Sequence, residues 1–187
     1  MSPPGGTPPS PDHEPGDRIA IVGIGLRFPG AHGAAQFWRN LRGGVESIRD
    51  LSDEELAERG AVRRVADEPH AYPCRVSLAD AEPGEELLLL PYRHQTSPSP
   101  YQASGPIYVR RNARASFHAV NRVPHMQERR LSSVRGYDAA GFMRECDVVA
   151  GVDLDATIRR FFANPEVDTI HVHNARPGCF AFRVERA

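Results

Sequence analysis

The sequence predicts an α+β fold: a single domain with a largely antiparallel sheet and a few short helices, behind a disordered proline-rich N-terminal arm. Three observations predict it. Strand-like runs separated by Pro, Gly and Ser turns fill most of the chain beyond Gly60. Helical spacing is confined to short stretches set between some of those runs, the pattern of segregated layers rather than of alternating βαβ units. Apolar residues make up 40% and charged residues 25% of 187 positions, enough for one core of ordinary size.

Taken in order, residues 1–16 are rich in proline with almost nothing to bury, and form the arm. Residues 18–23 (RIAIVG) make a short buried-strand pattern ending at glycine. Residues 34–42 carry Phe37, Trp38 and Leu41 at helical spacing, and Gly43-Gly44 stops them. Ser52 with Glu55 three residues on is a capping box for a helix that ends by Gly60. Strands are expected over 72–79, 86–92 and 106–110, and short helices over 113–121 and 124–131. Residues 133–138 and 141–149 pair around the Asp138-Ala-Ala-Gly141 turn. Residues 153–163 give an amphipathic helix with Leu154, Ile158, Phe161 and Phe162 on one side. A terminal hairpin joins 168–174 to 179–185 around Arg176-Pro177-Gly178.

Composition excludes several functions. A net charge of -1 lacks the basic surplus that displaces counterions, so no nucleic-acid partner is expected. The 23 basic side chains are all arginine, which rules out Schiff-base, P-loop and pyridoxal lysines. Cys74, Cys146 and Cys179 form no CxxC pair and suggest neither a zinc ribbon nor a disulfide framework. No signal peptide and no apolar run long enough for a bilayer are seen, so the expected location is the cytoplasm, with no membrane partner.

IAIVGIGLRFPG followed by FWRNLRGGVESI, within residues 17–47, resembles the first strand and helix of polyketide synthase ketosynthase domains. That family works through a cysteine in a Cys-Ser-Ser setting and two histidines. Here the cysteines sit in Pro-Cys-Arg, Glu-Cys-Asp and Gly-Cys-Phe, so a working ketosynthase is not expected. Nor is the stretch a dinucleotide site: Gly23 and Gly25 follow a strand, but Phe28 stands where the third glycine belongs. The fragment is read first as a gene-fusion remnant, and otherwise as a packing element or a docking piece for a polyketide synthase or carrier protein.

From residue 51 to 187 the chain resembles domain-of-unknown-function family 1203, through LSDEELAERGA, YPCRVSLADAEPGEELLLLPYRHQ, SGPIYVR, RGYDAAGFM and HVHNARPGCF. The resemblance implies no activity, so the residues must supply one. His171 and His173 alternate on a strand and project from one face. With Cys179 or a water as nucleophile, His173 as base, Asn174 orienting the ring, and His94 and Arg75 holding an anionic or acyl substrate, the hairpin would make a catalytic group. No cofactor is required by that reading. Its alternative is a transition metal on His171 and His173, completed by Cys179 or His94. A third reading is purely structural, with the histidines bonded to backbone and Cys179 a small apolar residue.

The hairpin register stays open at this point. An odd loop puts Cys179 on the histidine face and an even one puts it with Asn174. Tyr101 and Ser104, with His94, rim a loop that suits a small anionic or acyl ligand. Arg75 alternates with Cys74; turned inward, it requires a carboxylate such as Asp80 or Asp147, or a bound anion. The alternative to such a ligand pocket is a non-catalytic accessory protein of polyketide synthase assembly.

Overall fold

A computed structural model describes residues 30–47 and 51–187, which fall in two compact units, 1–50 and 51–187. The expected arm over 1–16 and the strand over 18–23 lie outside the described residues. In the first unit, α1 (Ala34–Arg42) is capped at its end by Gly43, whose N–H reaches the Arg39 carbonyl at 2.9 Å. Trp38 and Leu41 are exposed.

The second unit opens with α2 (Asp53–Glu58), whose capping box is complete: Ser52 Oγ accepts from Glu55 N–H and Glu55 accepts from Ser52 N–H at 2.9 Å. Its strands form two antiparallel sheets. One has the order β1 (Val62–Val65), β2 (Glu86–Gln95), β3 (Ala103–Arg110). The other has the order β5 (Met143–Ala150), β4 (Leu131–Tyr137), β6 (Thr169–Asn174), β7 (Phe180–Glu185). Between them in sequence lies the short α3 (His125–Glu128), and α4 (Leu154–Ala163) follows β5.

The main core forms where α4 lies under the four-stranded sheet. Leu154 and Phe161, on one helical face, pack with Val134 of β4, Ile170 and Val172 of β6, and Phe182 of β7. A polar seam closes the neighbouring end of this face: Gln127 donates to Ser132 Oγ at 2.8 Å and to Asn174 Oδ1 at 3.1 Å. Burial without these bonds would cost each amide about 1–3 kcal/mol. The Asp138–Gly141 turn joins β4 to β5, and Gly141 takes the positive φ of 83° that the turn demands.

Two expected elements are absent, for identifiable reasons. Residues 72–79 fold back on themselves instead of running as a strand. Cys74 N–H bonds Ala79 O, Ala81 N–H bonds Tyr72 O, and only isolated bridges reach Asp80 and Tyr108. Pro73 brings no N–H to a ladder, and Leu78 at φ 46° reverses the chain. Residues 113–121 are irregular rather than helical, since Phe117 gives its N–H to Val76 O and Asn121 has a φ of 55°. Conversely, β1 is absent from the sequence expectation: it is four residues long and exposed throughout, so it carries no burial pattern.

Gly151, buried at the entry to α4, would place an added Cβ at 2.0 Å from the Gln127 carbonyl oxygen and 2.6 Å from that of Glu128. Both obstacles are backbone, so Gly151→Ala should lower stability by about 3 kcal/mol. Urea denaturation of the two proteins measures this, and an unchanged midpoint would refute the packing described.

Candidate functional site

The register of β4 against β6 pairs Val134 with Val172 and Arg135 with His171. Side chains alternate across a strand, so the valines enter the core and His171, His173 and Arg135 project from the opposite face. His171 and His173 are almost fully buried there, at 3% and 1% exposure. What covers them comes from the other sheet, from β7 and from the end of β4.

Two β-bulges deliver the cover. In β2 the register shifts between Arg93 and Gln95, which makes His94 the extra residue of that strand. Between β6 and β7 a second shift pairs Val172 with Phe182 but His173 with Phe180. A bulge re-aims a side chain locally, and here the two bring His94 and Phe180 together. Their rings stack at 5.0 Å with an interplanar angle of 2°. His94 then stands edge-on to His173 at 5.0 Å and to His171 at 6.0 Å. Tyr137 closes the far side at 5.0 Å from His171.

One ligand atom from each of His94, His171 and His173 can be chosen so that all three lie within 4.8 Å of one another. Buried nitrogens without a partner are found on each ring: Nδ1 of His94, Nδ1 of His171 and Nε2 of His173. His173 Nδ1 lies 3.1 Å from Gly178 O. A carbonyl only accepts, so Nδ1 carries the proton and Nε2 keeps its lone pair. Burial, then the neighbouring histidine and arginine charges, pushes His171 down to about 4. Burial also takes His173 to about 4 against the opposing pull of the Gly178 carbonyl, with Arg135 and His94 lowering it further. His94 is lowered by burial and by Arg135. All three rings are therefore neutral at pH 7, the form that coordinates a metal.

The other expected residues divide plainly. Asn174 is paired with Ser132 across the strands, and its amide oxygen is engaged by Gln127, so it does not orient a histidine of this group. The hairpin loop is even, with Asn174 N–H bonding Cys179 O at 2.9 Å. Cys179 thus stands opposite Asn174; its thiol lies 3.9 Å from Pro177 O, and it is not one of the three grouped ligands.

Arg75 meets neither of the carboxylates suggested for it: its Nε donates to Phe180 O at 2.7 Å and a terminal nitrogen donates to Pro73 O. The acids suggested for it are taken, Asp80 by Arg130 and Asp147 by Arg160, each at 2.5 Å. Tyr101 touches the site only through Tyr137, at 6.1 Å between rings, and Ser104 is exposed opposite Arg93. Arg135, Tyr137 and Phe180 are site residues that sequence reasoning missed. A cleft of about 890 Å³ runs along β7 and reaches the group at His94, Phe180 and Arg75.

Comparison with known proteins gives this unit a family. Residues 71–186 match the model of a family described as protein of unknown function (DUF1203), and the chain belongs to that family. Residues 16–82 match the N-terminal domain of beta-ketoacyl synthases, so the two matches overlap at 71–82. The chain is similar to a component of the phenolphthiocerol/phthiocerol polyketide synthase of Mycobacterium tuberculosis, 46% identical over 66 residues. That match covers 35% of this chain and 4% of that protein. It is also similar to polyketide synthase PksN of Bacillus subtilis, 42% identical over 57 residues, 30% of this chain and 1% of that protein. The chain therefore spans only a few per cent of the length of these curated relatives. No solved structure matches it. No helix among the described residues is long and apolar enough to cross a membrane.

The depressed histidines fix a pH dependence. In the unfolded chain they titrate near 6.5, whereas folded His171 and His173 titrate at about 4. Between these values the unfolded state binds more protons, so stability is full above pH 6.5, falls as pH drops toward 4, and levels below. The loss is on the order of 3 kcal/mol per ring. Urea midpoints of chelator-treated protein from pH 7.5 to 4 should show it, and His171→Gln with His173→Gln should flatten the slope.

Proposed function

We propose that this domain is a metal-dependent binder or processor of a small anionic or acyl ligand, with His94, His171 and His173 holding a transition-metal ion. The observation that carries the reading is the convergence of three neutral imidazoles, two buried and that of His94 half-buried, each with an unpartnered nitrogen. Three nitrogens around a tetrahedral zinc stand roughly 3.3 Å apart, given bonds of about 2.0 Å. The nitrogens lie within 4.8 Å of one another and would draw in by up to about 1.5 Å to reach that spacing. A three-histidine set leaves a position for water or substrate, which is the arrangement of catalytic rather than structural zinc sites. The Gly178 carbonyl acts as the outer partner of His173, fixing its tautomer for coordination through Nε2.

The nucleophilic-thiol reading has less support, because Cys179 stands opposite Asn174 and His173 is bonded to Gly178. A second reading attaches to the front of the chain. The beta-ketoacyl synthase match over 16–82 supports association with a polyketide synthase or its carrier protein, without condensing activity of its own.

Elemental analysis of purified protein, backed by zinc and cobalt titration of the chelated form, tests the centre. One ion per chain is expected. His171→Ala and His173→Ala should each reduce affinity at least a hundredfold, and His94→Ala about as much, while Cys179→Ser leaves it unchanged. Retention of metal by the histidine variants would sink the assignment.

A further inference from the structure

The charge around the three histidines is one-sided. A divalent ion on three neutral imidazoles would keep its full charge, and no carboxylate belongs to the group of ligands that converge there. Arg135 adds another positive charge. It faces His171 across the β4–β6 ladder and is only half-buried, so its head can meet a ligand. Its side-chain partners are neutral: Ser133 Oγ at 3.4 Å on its own strand, and the hydroxyl of Tyr137. Among the described residues Arg135 has no carboxylate partner, unlike Arg110, Arg130, Arg144 and Arg160, and unlike Arg75 it does not have its head bonded to main-chain carbonyls. A guanidinium without a counter-charge beside a buried cationic centre is unfavourable unless an anion joins them.

We propose that Arg135 is the anion anchor of the centre, and that the ligand is a small carboxylate bound with one oxygen on the metal and the other on the Arg135 guanidinium. An N–H of the arginine fork would meet the free carboxylate oxygen in a charge-assisted hydrogen bond. Tyr137, packed against His171, walls the same space and favours a ligand with a short apolar portion. This inference rests on the metal-centre reading, and its test separates the two.

Full-length protein loaded with cobalt(II) reports ligand exchange through its visible absorption. Acetate should displace the solvent ligand saturably in the natural protein. In Arg135→Gln its apparent Kd should rise tenfold or more, while neutral imidazole binds both proteins alike. Arg135→Lys, which keeps the charge but not the fork, should fall between them; it also serves if the glutamine variant folds poorly by circular dichroism. Equal acetate affinity in all three proteins, with cobalt bound normally, would overturn the anchor and leave the metal centre standing. Failure of cobalt to bind at one per chain would overturn both.

Discussion

The antiparallel register of β4 on β6 is the constraint on which the second unit depends. With Val134 opposite Val172 and Arg135 opposite His171, one face of the sheet is apolar apart from the Ser132–Asn174 pair at its end, and the other carries imidazole and guanidinium. A slip of one residue would drive His171 and His173 into Phe161 and Leu154 and expose the valines. The cost of that exchange, several buried apolar groups lost and polar groups buried without partners, holds the register in place. The helix α4 contributes by filling the apolar face completely, with Leu154 and Phe161 at 0% exposure. Stability gathered on that side lets the other side carry groups that do not satisfy themselves.

Those unsatisfied groups are unusual in their concentration. Five buried side-chain atoms without partners are found among the described residues, and three of them belong to one cluster of histidines. Natural proteins bond the great majority of such atoms, and clusters of exceptions mark places where something else binds. The site is also rigid. His94 lies flat on Phe180, which in turn is edge-on to His171 and His173, so none of the rings swings freely into solvent. Neutral rings held at short range, each lowered by burial, form a set of lone pairs rather than a set of charges.

How much of this was legible in the sequence follows from the range of each signal. The capping box at Ser52, the helix over Ala34–Arg42, the hairpin ending in Glu185 and the β4–β5 turn are local patterns, and each is present. Period-two alternation likewise places His171 and His173 together on one face. The same alternation, with an even loop, sends Asn174 and Cys179 the other way. His94 is legible only as a candidate, because its approach depends on a bulge, one inserted residue that no alternation rule reveals. Arg135 and Phe180 read as ordinary strand residues until a partner strand is known. Residues 72–79 show the converse failure: Tyr72 and Val76 favour a strand, but Pro73 has no N–H for a ladder, and the reversal at Leu78 closes the Cys74 N–H onto Ala79 O.

The overlap of the two family matches at 71–82 bears on how the halves of this sequence are related. Likeness to beta-ketoacyl synthases extends to residue 82, well past the point where the first compact unit ends at Asp50. Yet residues in the overlap make long-range contacts inside the second unit. Cys74 is fully buried, bridges Tyr108 and accepts the Arg110 N–H at 3.3 Å. Arg75 spans 105 positions of sequence to hold the Phe180 carbonyl, directly behind the ring on which His94 stacks. Asp80 fixes Arg130 at the end of α3, and Ala81 lies in the small core beside Leu87. Removing this segment would release the backbone of β7 at the point where the second bulge forms, and with it the placement of Phe180. The segment is therefore a working part of the C-terminal unit, whatever its likeness to the other family. Contacts, rather than the reach of a sequence match, set the boundary between the two units.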